Sequence, residues 1–164
     1  MRDFFKRYIP EFVYGAVDGT VTTFAVVAAS AGAGISSSVI LILGIANLIA
    51  DGFSMGSSAY LAASAEHEES VRDSQKRSSP KIIGAVTFLA FVVVGSVPVL
   101  PYLIDVIANL KAPNAILFYV SSALTAATFL AIGFIKGKVS KQSPWQSAGI
   151  TLLLGIIAAG LAYF

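Results

Sequence analysis

Five apolar runs divide this chain of 164 residues, each close to the roughly 20 residues that a helix needs to cross about 30 Å of hydrocarbon. They fall at about 12–31, 38–62, 82–103, 115–135 and 148–164, with a charged loop over 63–81. An open strand in lipid would leave its backbone groups unpaired, so each run is predicted to be a helix. Composition agrees. With 56% hydrophobic and 12% charged residues, the chain is far from the soluble average of about 25% charged, and it cannot cover a water-facing surface. The expected fold is an all-α membrane protein, a single transmembrane domain over 1–164 with five transmembrane helices. Pro10, Pro80, Pro113 and Pro144 each precede a run, where a missing N–H is harmless. Pro98 and Pro101 lie near the end of the third run and are expected to kink or finish it.

The basic residues set an orientation. With the N-terminus cytoplasmic, Arg2, Lys6, Arg7, Arg72, Lys76, Arg77, Lys81, Lys136, Lys138 and Lys141 all lie inside, and only Lys111 lies outside. Such a positive-inside bias puts the C-terminus on the outer or lumenal side. A cleaved signal peptide is the rival reading of the first run, because Arg2, Lys6 and Arg7 precede it and Ala29, Ser30 and Ala31 close it. The length of the run and the acid in its middle argue against cleavage. The segment MRDFFKRYIP is read as a short amphipathic anchor, with Phe4, Phe5 and Tyr8 on lipid and the cations on headgroups.

Two of the runs carry aspartates, Asp18 and Asp51. A carboxylate at membrane depth costs roughly 2.5 to 3.5 kcal/mol by insertion scales, so it usually marks a path for ions or protons. On a helical rise of about 1.5 Å per residue, Asp18 lies roughly 9 Å from the inner end of its run and Asp51 about 20 Å from the outer end of its own. The two can therefore face each other in the inner half of the membrane. Asn47, Asp51, Ser54, Met55 and Ser58 share one helix face, and Tyr14, Asp18 and Thr22 form a second row. Gly15 and Gly19 bracket Asp18, and Gly52 and Gly56 bracket Ser54 and Met55; this spacing lets backbones approach closely, in ordinary packing or around a site. Asp51 has a second reading, a carboxylate that hydrogen-bonds neighbouring helices. Met55 beside carboxylate oxygen and the Asn47 amide suits a divalent transition metal better than Ca²⁺ or Mg²⁺, although a lone methionine in such a helix is usually packing.

The run VYGAVDGTVTTFAVVAASAGAG followed by ILILGIANLIADGFSMGSSAYLA resembles the vacuolar iron transporter family, and FLAFVVVGSVPVLPYL and GIIAAGLAYF are similar to its third and fifth spans. The resemblance implies a five-helix protomer working as a homodimer, with a cation path at the dimer axis between the two first helices. It implies Fe²⁺ or Mn²⁺ moved out of the cytosol in exchange for protons, as substrate and not as a bound cofactor. Asp18 matches the aspartate of the family's VDG motif and Met55 the methionine of its DGFSM motif, both of which line that path in the family. Partners are thus expected to be a second copy, divalent metal, protons and lipid, with no nucleic acid. The expected location is a prokaryotic cytoplasmic membrane rather than a vacuole.

The chain departs from such relatives in one place. They often carry a long glutamate-rich cytosolic insert between the second and third spans, and SAEHEESVRDSQKRSSPK is too short to hold it. Glu66, Glu69 and Asp73 recur at helical spacing there, beside His67 and Glu68. They are candidates for a small cytosolic metal-collecting site, or a solvated helix end paired with Arg72, Lys76 and Arg77. Glu11, at the inner rim of the first span, either draws cations toward the path or sits among headgroups near Lys6 and Arg7. Ser121, Thr125 and Thr128 share a face, but such hydroxyls commonly bond their own backbone. Rival classes are a proton-coupled exporter of organic cations, which would want an aromatic-lined cavity near Tyr14, Phe24, Phe53 and Tyr60, and a non-transporting scaffold, which leaves Asp18 unexplained. An enzyme is the least favoured reading, because one histidine and no cysteine do not assemble a nucleophile and its base.

Overall fold

The computed structural model describes residues 2–69 and 78–163, with side chains placed for 7–66 and 78–161. Helices α1 (Arg2–Gly32), α2 (Ser37–Glu69), α3 (Pro80–Gly95), α4 (Leu100–Ala108), α5 (Asn114–Val139) and α6 (Pro144–Tyr163) follow in order, with no strand among the described residues. Among the described residues five spans are long and apolar enough to cross a membrane. The third consists of α3 and α4 joined by a 3-10 turn at Val97–Val99.

That break is where Pro98 and Pro101 predict a kink, yet the span does not finish there. It runs on to Ala108, beyond the expected limit at residue 103. The turn is held from outside: the Ser121 hydroxyl donates to the Pro98 carbonyl at 2.6 Å. Ser121 therefore bonds a neighbouring element rather than its own helix, whereas the Thr128 hydroxyl donates to Leu124 O four residues back. Pro10 also departs from expectation. Instead of opening a helix it lies inside α1, which continues through it from Arg2, so the expected separate anchor is the first part of one long helix. A proline removes one N–H and one helical bond, and α1 tolerates this near its start. Pro80 and Pro144 open α3 and α6, and Pro113 is the N-cap of α5.

Small residues decide how the helices assemble. A Cβ at Gly19 would lie 2.9 Å from the Phe91 Cα, and one at Gly56 would lie 2.8 Å from the Phe88 Cβ. Both glycine pairs therefore seat their helices on α3, which packs against both α1 and α2. The α5–α6 pair closes in the same way, with Gly133 against Ala148 and Gly137 against Pro144. Helix α1 packs on α2, α3, α5 and α6 and is the centre of the bundle. Val27, Leu48, Phe91, Val99, Tyr102 and Leu117 belong to the main core cluster, and Ala16, Ala90 and Ile132 form a second. The outer faces remain apolar, with Ile42, Ile49 and Phe53 on α2 and Leu153, Ile156 and Ile157 on α6 all exposed. Apolar exposure on this scale is stable only against lipid or another protein surface.

Candidate functional site

Packing on α3 fixes which faces of α1 and α2 look outward. Gly15 and Gly19 point at α3, so Tyr14 is left 64% exposed and Asp18 half-buried. Asp18 lines a groove of about 480 Å³ that follows α1 past Pro10, Val13 and Val17 and is walled on the other side by Lys136 and Ser140. On α2 the stripe Gly44, Leu48, Gly52 and Gly56 is buried, which leaves Asp51, Ser54 and Ser58 exposed. The Asp51 carboxylate is close enough to act electrostatically on Asp18. Two acids thus lie within electrostatic range of each other on apolar helices long enough to span a membrane, Asp51 exposed and Asp18 half-buried.

Asn47 joins the two helices. Its amide donates to the Thr22 hydroxyl at 3.4 Å and to the Thr23 hydroxyl at 3.3 Å, and Thr22 in turn donates to the Asp18 carbonyl oxygen at 2.9 Å. The NH₂ side of Asn47 therefore holds the turn that carries Asp18. Met55, four residues beyond Asp51, is half-buried and packs against the main core cluster. Its side chain thus touches the core from the same helix that carries Asp51.

The cytosolic candidates are less gathered. Glu11 is half-buried, and its Oε2 is enclosed with no hydrogen-bond partner among the described residues; this oxygen faces protein rather than headgroups. Glu66 is exposed near the end of α2. Glu69 is the last residue of that helix and its side chain, like those of His67 and Glu68, lies outside the described ones, as does the whole of Asp73. Among the described residues no three of His, Cys, Asp and Glu come together as a metal-holding group.

Two residues were missed. Asp105 is 5% exposed and accepts hydrogen bonds from the Ser37 hydroxyl and the Ala112 N–H, both at 2.9 Å. It ties the start of α2 to the turn after α4, with Asn114 adding a bond to the Ile35 carbonyl at 3.0 Å. Its signal was the apolar run continuing as IDVIANL beyond Pro101. Lys136, which the sequence marks only as a basic residue of a loop, lines the Asp18 groove.

A family model described as the VIT family matches residues 9–80 and 67–164. The chain belongs to the VIT family. The two matched segments meet over the stretch between α2 and α3. Among relatives of this VIT-family chain, "Vacuolar iron transporter 1" of Eucalyptus grandis is 27% identical over 215 residues, covering 94% of this chain and 84% of the relative. "Vacuolar iron transporter 1" of Oryza sativa subsp. japonica is 26% identical over 215 residues, with 94% and 82% covered. "Vacuolar iron transporter" of Toxoplasma gondii is 46% identical over 61 residues, which is 37% of this chain and 20% of that protein. The plant alignments run longer than the 164 residues of this chain, so those relatives carry residues that this VIT-family chain lacks.

Proposed function

We propose that this chain carries a divalent transition metal, Fe²⁺ or Mn²⁺, out of the cytosol in exchange for protons, through a path formed where two copies meet. The carrying observation is the pair Asp18 and Asp51, two acids within electrostatic range of each other on membrane-length apolar helices, the first half-buried and the second exposed. Left against lipid, such acids are costly. A second copy packed on the same face covers them and doubles the carboxylates, supplying oxygen ligands that one protomer lacks. Kinship with proteins named vacuolar iron transporters supports a metal as substrate.

In this reading deprotonated Asp18 from each copy binds the cation. Asp51, the Asn47 carbonyl oxygen and the Met55 thioether complete the shell, the sulfur favouring a soft transition metal over Ca²⁺. Reprotonation of the acids from the outer side then releases the ion. The N-terminus lies in the cytosol in this reading, which the basic residues of the loops support.

Uptake into proteoliposomes under an imposed pH gradient tests this, comparing Fe²⁺, Mn²⁺, Zn²⁺ and Ca²⁺ for wild type and Asp18→Asn. The first two are carried by wild type only. Equal transport by Asp18→Asn removes the reading.

A further inference from the structure

The basic end of the bundle holds a second polar cavity that the transport reading leaves unused. It lies where α5 turns into α6, has a volume of about 420 Å³, and is lined by Lys136, Gln142, Ser143, Gln146, Ser147 and Ile150. Four features give it a chemistry. Lys136 brings a positive charge, with Lys138 and Lys141 close in sequence, and no Asp or Glu occurs anywhere from 106 to 164. Helix α6, 20 residues long, begins at this cavity, so its first N–H groups lack helical acceptors and favour an anion; the Ser147 N–H is already bonded to Ser143 O at 3.0 Å. Ser147 is only 6% exposed, lines the cavity, and its hydroxyl has no partner among the described residues. Finally, Trp145 is 79% exposed and meets Phe134 edge-on with ring centroids 5.5 Å apart. An exposed indole at a helix end marks the headgroup level of a bilayer.

We infer that this cavity binds a phosphate-bearing anion at the membrane surface. Lys136 and the α6 N-terminus neutralise the phosphate, while the Ser147 hydroxyl and the Gln142 and Gln146 amides donate to its oxygens. A zwitterionic headgroup brings its own cation to the lysines and is disfavoured. Lys136 also lines the Asp18 groove, so the bound anion sits beside the inner mouth of that groove. Binding itself requires no transported metal and stands independently of the transport reading.

Trp145 is the only tryptophan of the chain and reports on the cavity directly. The full chain in detergent free of anionic lipid is titrated with dioctanoyl phosphatidylglycerol, dioctanoyl phosphatidylcholine and inorganic phosphate while Trp145 fluorescence is followed. Phosphatidylglycerol gives a saturable shift that phosphatidylcholine does not. Lys136→Gln and Ser147→Ala each weaken it by about tenfold or more, the scale of one charge-assisted hydrogen bond, while Lys136→Arg and Lys81→Gln, the latter on α3, retain it. Saturation by inorganic phosphate, with no further change on adding the lipid, assigns the same site to free phosphate. An equal response to both lipids, or a Lys136→Gln protein that keeps wild-type helical circular dichroism and binds as wild type does, overturns the proposal.

Discussion

Gly19 of α1 and Gly95 of α3 meet backbone against backbone: a Cβ built on Gly95 would sit 2.8 Å from the Gly19 carbonyl carbon and carbonyl oxygen. No side chain separates the two helices at this point, and neither backbone can yield without moving a whole span.

Gly95→Val is accordingly expected to destabilise the bundle by about 3 kcal/mol, the upper range for overpacking. Thermal unfolding in detergent checks this against Gly149→Ala on α6, where nothing lies within 4 Å of the added Cβ and the midpoint should hold. Equal midpoints for the two variants would contradict the α1–α3 contact.

Asp18 and Asp51 differ in setting, so their variants should differ in kinetics. Asp18→Asn is expected to reduce Fe²⁺ or Mn²⁺ uptake by about 100-fold, whereas Asp51→Asn, on the exposed face of α2, should raise KM several-fold and leave much of the maximal rate. Proteoliposome uptake over a range of metal concentrations separates the two. A reversed order would make Asp51 the principal ligand.

The chain contains no cysteine, so single introduced thiols report on contact between copies without background. Tyr14→Cys, one turn from Asp18 and on an exposed position, is expected to join two chains when membranes are treated with a short bis-maleimide. Ile157→Cys on the outward face of α6 should remain monomeric on a denaturing gel. Cross-linking confined to residue 157 would move the contact face to α6.

Asp105→Ala removes the acceptor for both Ser37 and the Ala112 N–H. Leaving a buried donor unpaired costs about 1–3 kcal/mol, so unfolding should begin at lower temperature. Faster hydrogen exchange at residues 109–112 would locate the damage. Asp105→Asn, which keeps an acceptor oxygen, should lose less than the alanine variant.

Much of this architecture was legible because lipid leaves a chain few options. Length and hydropathy located five spans, and Pro98 with Pro101 located the break in the third. The end of that span was misjudged because two prolines read as a stop, whereas a 3-10 turn lets the apolar run resume through Tyr102 and Asp105. Pro10 was misjudged for the complementary reason: local rules place proline at a helix start, but α1 also packs through Tyr8, whose hydroxyl accepts from the Ser79 N–H at 3.3 Å. At the site, helical spacing put Asp18 and Asp51 at one level. It could not reveal that Asn47 is bonded to Thr22 and Thr23, or that Lys136 closes the groove, because those pairings depend on how α2 and α5 rotate about α1.

The packing of α3 against both α1 and α2 has a geometric corollary for any contact on the Asp18 face. All four glycines of the two GxxxG pairs lie against α3, so a contact on the outward face would be made through side chains, Tyr14 on α1 and Asp51, Ser54 and Ser58 on α2. Two copies meeting there would be spaced by side chains, at about the 8–10 Å between axes usual for ordinary helix pairs. Such spacing would leave a slot between opposed acids, in which an ion could exchange water for carboxylate oxygen.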